Sequence, residues 1–264
     1  MDLEQRTTKP NDRRWFLRTA AGLAAAALLA GCGDSGLPRP EVHEFNIEGN
    51  TRRAYSFNRT AQVIHSLCLH GGGQDVLKEL TQGHLRGLNE VLIYNRRHTI
   101  WPKAAGKELY WGASPMWIHR FGDNKDPEFI KEVLKSFNIL NLDELWGYSV
   151  GGRFAQELLL KRHIAPVGTL FLVNSFLERA EIKNYPETDN TPLAKKVVIL
   201  NSTGDPTAPI EGGYVTKTAL PREVVSQEEL TYFWGIRSHE VLTLSVQGEH
   251  QLTNDHVKAL LPHI

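Results

Sequence analysis

Gly147-Tyr148-Ser149-Val150-Gly151 follows an apolar run, Leu142 to Trp146, and precedes a helix-like run from Arg153 to Arg162. A serine at a strand-to-helix turn is built for nucleophilic attack, because glycines two residues to either side let the backbone take a cramped turn that lifts the hydroxyl clear. The same turn sets the amide of Val150 beside a carbonyl under attack. In a chain with 22 glycines the G-x-S-x-G pattern also arises by chance. The segments that could partner Ser149 therefore decide its meaning.

Upstream, the apolar run Val63 to Leu69 ends in His70-Gly71-Gly72-Gly73-Gln74-Asp75, and a helical pattern follows from Val76 to Leu88. Glycines at such a place can turn amides towards one point, so Gly72 or Gly73 could supply an oxyanion donor opposite Val150. An ordinary glycine-rich turn is the other reading. A phosphate loop fits badly, since no Gly-Lys-Ser/Thr follows. Downstream, Lys195 to Asn201 is a short apolar run bounded by charge, and Ser202-Thr203-Gly204-Asp205-Pro206 comes next. Asp205 then lies at the carboxyl end of a buried strand, although an aspartate before proline is also a common turn. Glu240 to Val246 reads as a further strand, followed by Gln247-Gly248-Glu249-His250. Ser149, Asp205 and His250 thus share one end of their strands, the end at which open parallel sheets carry their sites.

Other assignments weigh less. His239 precedes its strand and belongs to the opposite edge of the sheet, and His256 falls in the terminal helix-like run Thr253 to Leu261, where a solvated face is expected. Glu211 is a substitute acid beyond the turn at Pro206 and Pro209. The 11 histidines form no H-E-x-x-H or Cys/His cluster, so neither a metal nor another cofactor is expected.

The order Ser, Asp, His along the chain matches that of the alpha/beta hydrolases. More closely, the sequence resembles the secreted poly(3-hydroxybutyrate) depolymerases and feruloyl esterases of that fold, including lipoprotein members. Gly49 to Tyr55 is similar to the family's opening strand, Leu69 to Gln74 to its oxyanion loop, Gly147 to Gly152 to its elbow, Asp205 to Gly213 to its acid turn, and Asp126 to Ile130 to the helix before the elbow strand. The resemblance spans roughly residues 45 to 255. It departs at Gln251 and Leu252, where members often carry an aromatic, and it lacks the linker and substrate-binding domain common in polymer depolymerases. A small or soluble ester is the substrate it implies.

The amino terminus points to a compartment. Arg13-Arg14-Trp15-Phe16-Leu17-Arg18 resembles a twin-arginine export signal read by the export machinery, and the apolar stretch Thr19 to Ala30 is too short to span a bilayer. Leu29-Ala30-Gly31-Cys32 resembles a bacterial lipobox, so cleavage before Cys32 would leave its thiol to be lipidated and to anchor the protein in the cell envelope. Residues 1–31 are then a signal, 32–40 a tether and 41–264 the alpha/beta-hydrolase domain. Without the five basic and three acidic side chains of the signal, 25 basic and 27 acidic remain, a net of −2 that offers nothing to nucleic acid. Cys68, inside an apolar strand, reads as a core residue, and no disulfide is expected in the monomer.

Strands are expected near 43–48, 52–57, 63–69, 90–95, 143–148, 167–173, 196–201 and 240–246, and helices near 76–88, 126–138, 151–162, 226–234 and 253–261. That alternation implies an alpha/beta fold with a mainly parallel sheet of about eight strands and helices on both faces. Residues 96–124 break the rhythm as a long segment holding Trp101, Trp111 and Trp117, which either wall a substrate pocket or pack the loop onto the domain. The function expected is ester hydrolysis through Ser149, Asp205 and His250. A serine peptidase or acyltransferase of the same fold, or an inactive envelope binding lipoprotein, are the alternatives.

Overall fold

The computed structural model describes residues 37–58, 64–72, 75–104, 125–216 and 222–264. Ten strands run through them: β1 Glu41–Ile47, β2 Asn50–Phe57, β3 Ile64–Leu69, β4 Arg97–Pro102, β5 Glu144–Tyr148, β6 Val167–Val173, β7 Ala194–Ser202, β8 Gly213–Val215, β9 Arg222–Val224 and β10 Ser238–Val246. Eight form one sheet in the order β1-β2-β4-β3-β5-β6-β7-β10, while β8 and β9 pair antiparallel as a separate two-stranded sheet. Within this eight-stranded sheet β1 with β2 and β2 with β4 run antiparallel, and the other pairs are parallel. Glu48 and Gly49, both at positive φ, make the two-residue turn between β1 and β2, the conformation whose twist suits a tight hairpin.

Among the described residues seven α-helices accompany the strands: α1 Val76–Thr81, α2 Leu85–Tyr94, α3 Asp126–Ser136, α4 Val150–Leu160, α5 Arg179–Ile182, α6 Gln227–Gly235 and, after the last strand, α7 Asn254–Leu260. Successive strand residues point to opposite faces, and the core divides accordingly. Leu145, Leu170 and Ile199 join a cluster with Phe129 of α3, Phe154 of α4 and Phe233 of α6. Their neighbours Trp146, Phe171 and Val198 join another with Val76 of α1, Leu92 of α2 and Val257 of α7. Trp146 and Phe171 stack face to face at 3.6 Å within the second. Helices thus cover both faces, and the central strands are apolar on each side, as a buried parallel sheet requires.

One expected strand is a helix. Val91-Leu92-Ile93-Tyr94 reads as a buried strand, yet it closes α2, whose Leu85, Leu88 and Leu92 are buried at helical spacing. The strand comes later, at Arg97–Pro102, every residue of which is buried. Its polar side chains are satisfied from elsewhere in the chain: Arg97 donates from Nη2 to Glu144 of β5 at 2.9 Å, and the hydroxyl of Thr99 reaches Asn89 of α2 at 3.4 Å. The helix expected at 76–88 is two helices, parted at Gly83. A Cβ there would lie 2.8 Å from the Cα of Glu79, and Glu79 turns back to accept the backbone N–H of His84 at 3.1 Å.

Candidate active site

Ser149 stands between β5 and α4 with φ 54° and ψ −125°, a conformation that costs an L-residue energy and persists only where the surroundings enforce it. The glycines enforce it by letting backbones touch. A Cβ on Gly147 would lie 2.3 Å from the Cα of Gly152, and one on Gly151 would lie 2.2 Å from the carbonyl oxygen of Leu69 at the end of β3. Ser149 donates its N–H to the carbonyl of Val173 at 3.0 Å, which ties the turn to the end of β6.

The three side chains expected from the sequence meet here. The Oγ of Ser149 is 2.7 Å from Nε2 of His250, and Nδ1 of His250 is 2.6 Å from Oδ2 of Asp205. The carboxylate can only accept from Nδ1–H, so the Nε2 lone pair faces the serine hydroxyl. The other oxygen of Asp205 accepts the amides of Thr207 and Ala208 at 2.7 and 2.9 Å. Acid loop and histidine loop are laced together, Thr203 donating its amide to Val246 at 2.9 Å and Gly204 donating its own to Gly248 at 2.8 Å. Glu211 lies in an exposed turn, and His239 sits at the start of β10, at the far end from His250.

The amide of Val150 opens α4, where the first helical N–H groups have no acceptor within the helix and suit a developing negative charge. Gly71 lies against the elbow: a Cβ there would come 2.9 Å from Cδ1 of Tyr148 and 3.4 Å from Cβ of Ser149. Gly72 follows in this half-buried loop, and Gly73 is outside the described residues. His70, missed in the sequence, holds the loop. It is wholly buried, its Nδ1 is 2.6 Å from the carbonyl of Gly71, and its Nε2 accepts the amide of Ala104 at 3.1 Å. Burial pushes its pKa down to about 4, so the neutral ring serves as donor and acceptor at once.

Two expectations are corrected. Trp101, expected in the loop over Ser149, lies in β4 within the second core cluster and donates Nε1–H to Asn89 at 3.0 Å, because its strand is central to the sheet. His256, expected on a solvated face, is wholly buried. Its Nε2 lies 2.8 Å from the hydroxyl of Ser202 and 3.3 Å from Nδ2 of Asn174, and its Nδ1 accepts the amide of Thr253 at 3.2 Å. Asn174 in turn accepts the amide of Ser202 at 2.8 Å. This network lies under the acid loop, and no local sequence pattern announces it. Trp111, Trp117, Cys32, Arg13 and Arg14 fall outside the described residues. Leu252 is buried in the second cluster, so the apolar residue that follows Gln251 belongs to the core. Among the described residues, no group of three or more His, Cys, Asp or Glu is placed to hold a metal.

No family model matches the chain, and a search of curated proteins finds no significant match. Solved structures do match. The esterase Pf2001 of Pyrococcus furiosus aligns with TM-score 0.57 at 13% identity, over 85% of this chain and 90% of its own. Mouse alpha/beta hydrolase domain-containing protein 10 gives 0.56 at 12%, over 84% and 96%. The fold is the alpha/beta-hydrolase fold. A puromycin-hydrolyzing peptidase of Mycobacterium tuberculosis shares this alpha/beta-hydrolase architecture with TM-score 0.55 at 13% identity, over 86% of this chain and 40% of that one. At these identities the likeness extends to the fold alone.

Proposed function

We propose that the protein is a serine hydrolase of carboxylic esters. The carrying observation is the continuous chain from Ser149 Oγ through His250 to Asp205, at 2.7 and 2.6 Å, built on a strained turn. In this reading Ser149 attacks the acyl carbon as its proton passes to Nε2 of His250, and Asp205 holds the imidazole in the tautomer that accepts it. The amides of Val150 and of Gly72 or Gly73 receive the oxyanion. His250 then gives the proton to the departing alcohol, leaving an acyl-serine, and water activated by the same imidazole releases the acid.

The amino-terminal pattern adds a location: export through recognition of Arg13 and Arg14, cleavage, and anchoring by lipid on Cys32 in the cell envelope. The relationship to depolymerases and feruloyl esterases remains part of this proposal, with a small or soluble ester as substrate and Trp111 and Trp117 as candidate pocket residues. Peptidase and acyltransferase chemistry would use the same groups and differ in leaving group and acceptor, and the mycobacterial peptidase of like fold keeps peptides in view.

A fluorophosphonate probe followed by peptide mapping tests the core of the proposal. The adduct is expected on Ser149, and nitrophenyl esters of short, long and aromatic acyl chains should be turned over. A protein that takes no label and cleaves no ester would be a binding protein instead.

A further inference from the structure

A second carboxylate–imidazole pair lies beside the first. Glu79 of α1 holds His84 through two contacts, its Oε2 lying 2.9 Å from Nδ1 of the ring and accepting the backbone N–H at 3.1 Å. So clamped, the ring of His84 meets Tyr148 edge-on, with centroids 5.4 Å apart. Tyr148 precedes the proposed nucleophile. Its ring lies near-parallel to that of His250 at 5.7 Å, and its hydroxyl donates to the carbonyl oxygen of His250 at 2.9 Å.

We propose that Glu79, His84 and Tyr148 form a bracket that positions the imidazole of His250 for proton transfer. The proposal rests on the reading of His250 as the base. Tyr148 touches His250 twice, by ring and by hydroxyl. The hydroxyl remains a donor at every working pH: burial, with the carboxylates of Asp205 and Glu79 nearby, raises its pKa well above the usual tyrosine value. His84 is half-buried. Its burial lowers its pKa, Glu79 opposes that shift, and the proximity of His250 adds to it. Glu79 thus stands two rings away from the base, and Tyr148 and His84 are positioning residues.

The test compares Tyr148→Phe, His84→Ala and His84→Phe with the unaltered protein, each rate normalised to sites titrated by the fluorophosphonate. Tyr148→Phe keeps the ring and removes one hydrogen bond, so kcat should fall about five- to tenfold with KM within about twofold. His84→Ala should lower kcat similarly, and His84→Phe, which restores a flat ring against Tyr148, should recover most of it. Unchanged kcat per titrated site in Tyr148→Phe and His84→Ala overturns the bracket, as does a loss confined to melting temperature and titratable fraction. Ser149→Ala run in parallel separates the two readings: if it keeps full activity, the proposed nucleophile is wrong, whatever the bracket does.

Discussion

Ala104 donates its backbone N–H to Nε2 of His70 across 3.1 Å, joining the residues after β4 to the glycine loop that borders Ser149. The bond exists only while His70 is neutral. An unfolded histidine takes its proton near pH 6.5, and the buried one near 4. Between those values the unfolded chain holds more protons, so stability falls as pH falls, from full strength above 6.5 to a loss on the order of 3 kcal/mol below 4. His256, its pKa also lowered by burial, acts in the same direction. Melting temperature measured from pH 7 to 4 should decline, and His70→Gln should flatten the decline while starting from a lower value.

His250 and His256 should respond oppositely to removal. His250→Ala should leave the fold intact and, on the proposed reading, abolish most ester turnover, since the proposed base is lost. His256→Ala removes the contacts to Ser202 and Thr253 from a wholly buried place, at a cost of about 2–3 kcal/mol. Thermal melts and ester kinetics on both variants check the contrast, and a dead, fully stable His256→Ala would reverse the assignment.

At the start of β5, the other end of the strand from Ser149, Glu144 accepts from Arg97, from the hydroxyl of Ser66 at 2.7 Å and from the indole of Trp146 at 3.1 Å. Glu144→Ala leaves a buried guanidinium without its carboxylate and should cost roughly 3–5 kcal/mol in urea unfolding. Activity per titrated site should not change, because nothing in this cluster reaches Ser149.

Glycine-to-alanine changes should divide by location. Gly147→Ala drives a methyl into the backbone of Gly152 and should destroy both stability and labelling of Ser149. Gly235 closes α6 with open space about its Cβ position and no positive φ, so Gly235→Ala should stabilise by about 0.5 kcal/mol. Paired denaturation curves measure both.

The parts of this fold that the sequence reveals are those with local causes. The strands ending at Tyr148, Ser202 and Val246 are strand-like runs followed by turn residues, and each delivers its site residue within a few positions of its end. β4 is hidden because Arg97, His98 and Thr99 look like surface, and what buries them lies far away in sequence, as Glu144 does for Arg97. The same holds for His70, whose acceptor role depends on Ala104, and for the joined Asn174, Ser202 and His256. Periodicity finds surfaces, and it is blind to polar groups that satisfy one another over long separations. Trp101 was drawn into the wrong role by that omission, since a residue on an unseen strand reads as a residue on a loop.

The lacing between the residues before Asp205 and those before His250 divides the site into two bodies. Acid and base ride together on β7 and β10, while the serine rides on β5, two strands inward. β10 is the last strand in chain order and occupies the rim of the sheet. In the proposed mechanism it is the docking of β10 that brings the proton acceptor to the serine hydroxyl. A chain whose elbow formed before β10 docked would then be chemically inert, its proposed nucleophile armed by the closing of the sheet.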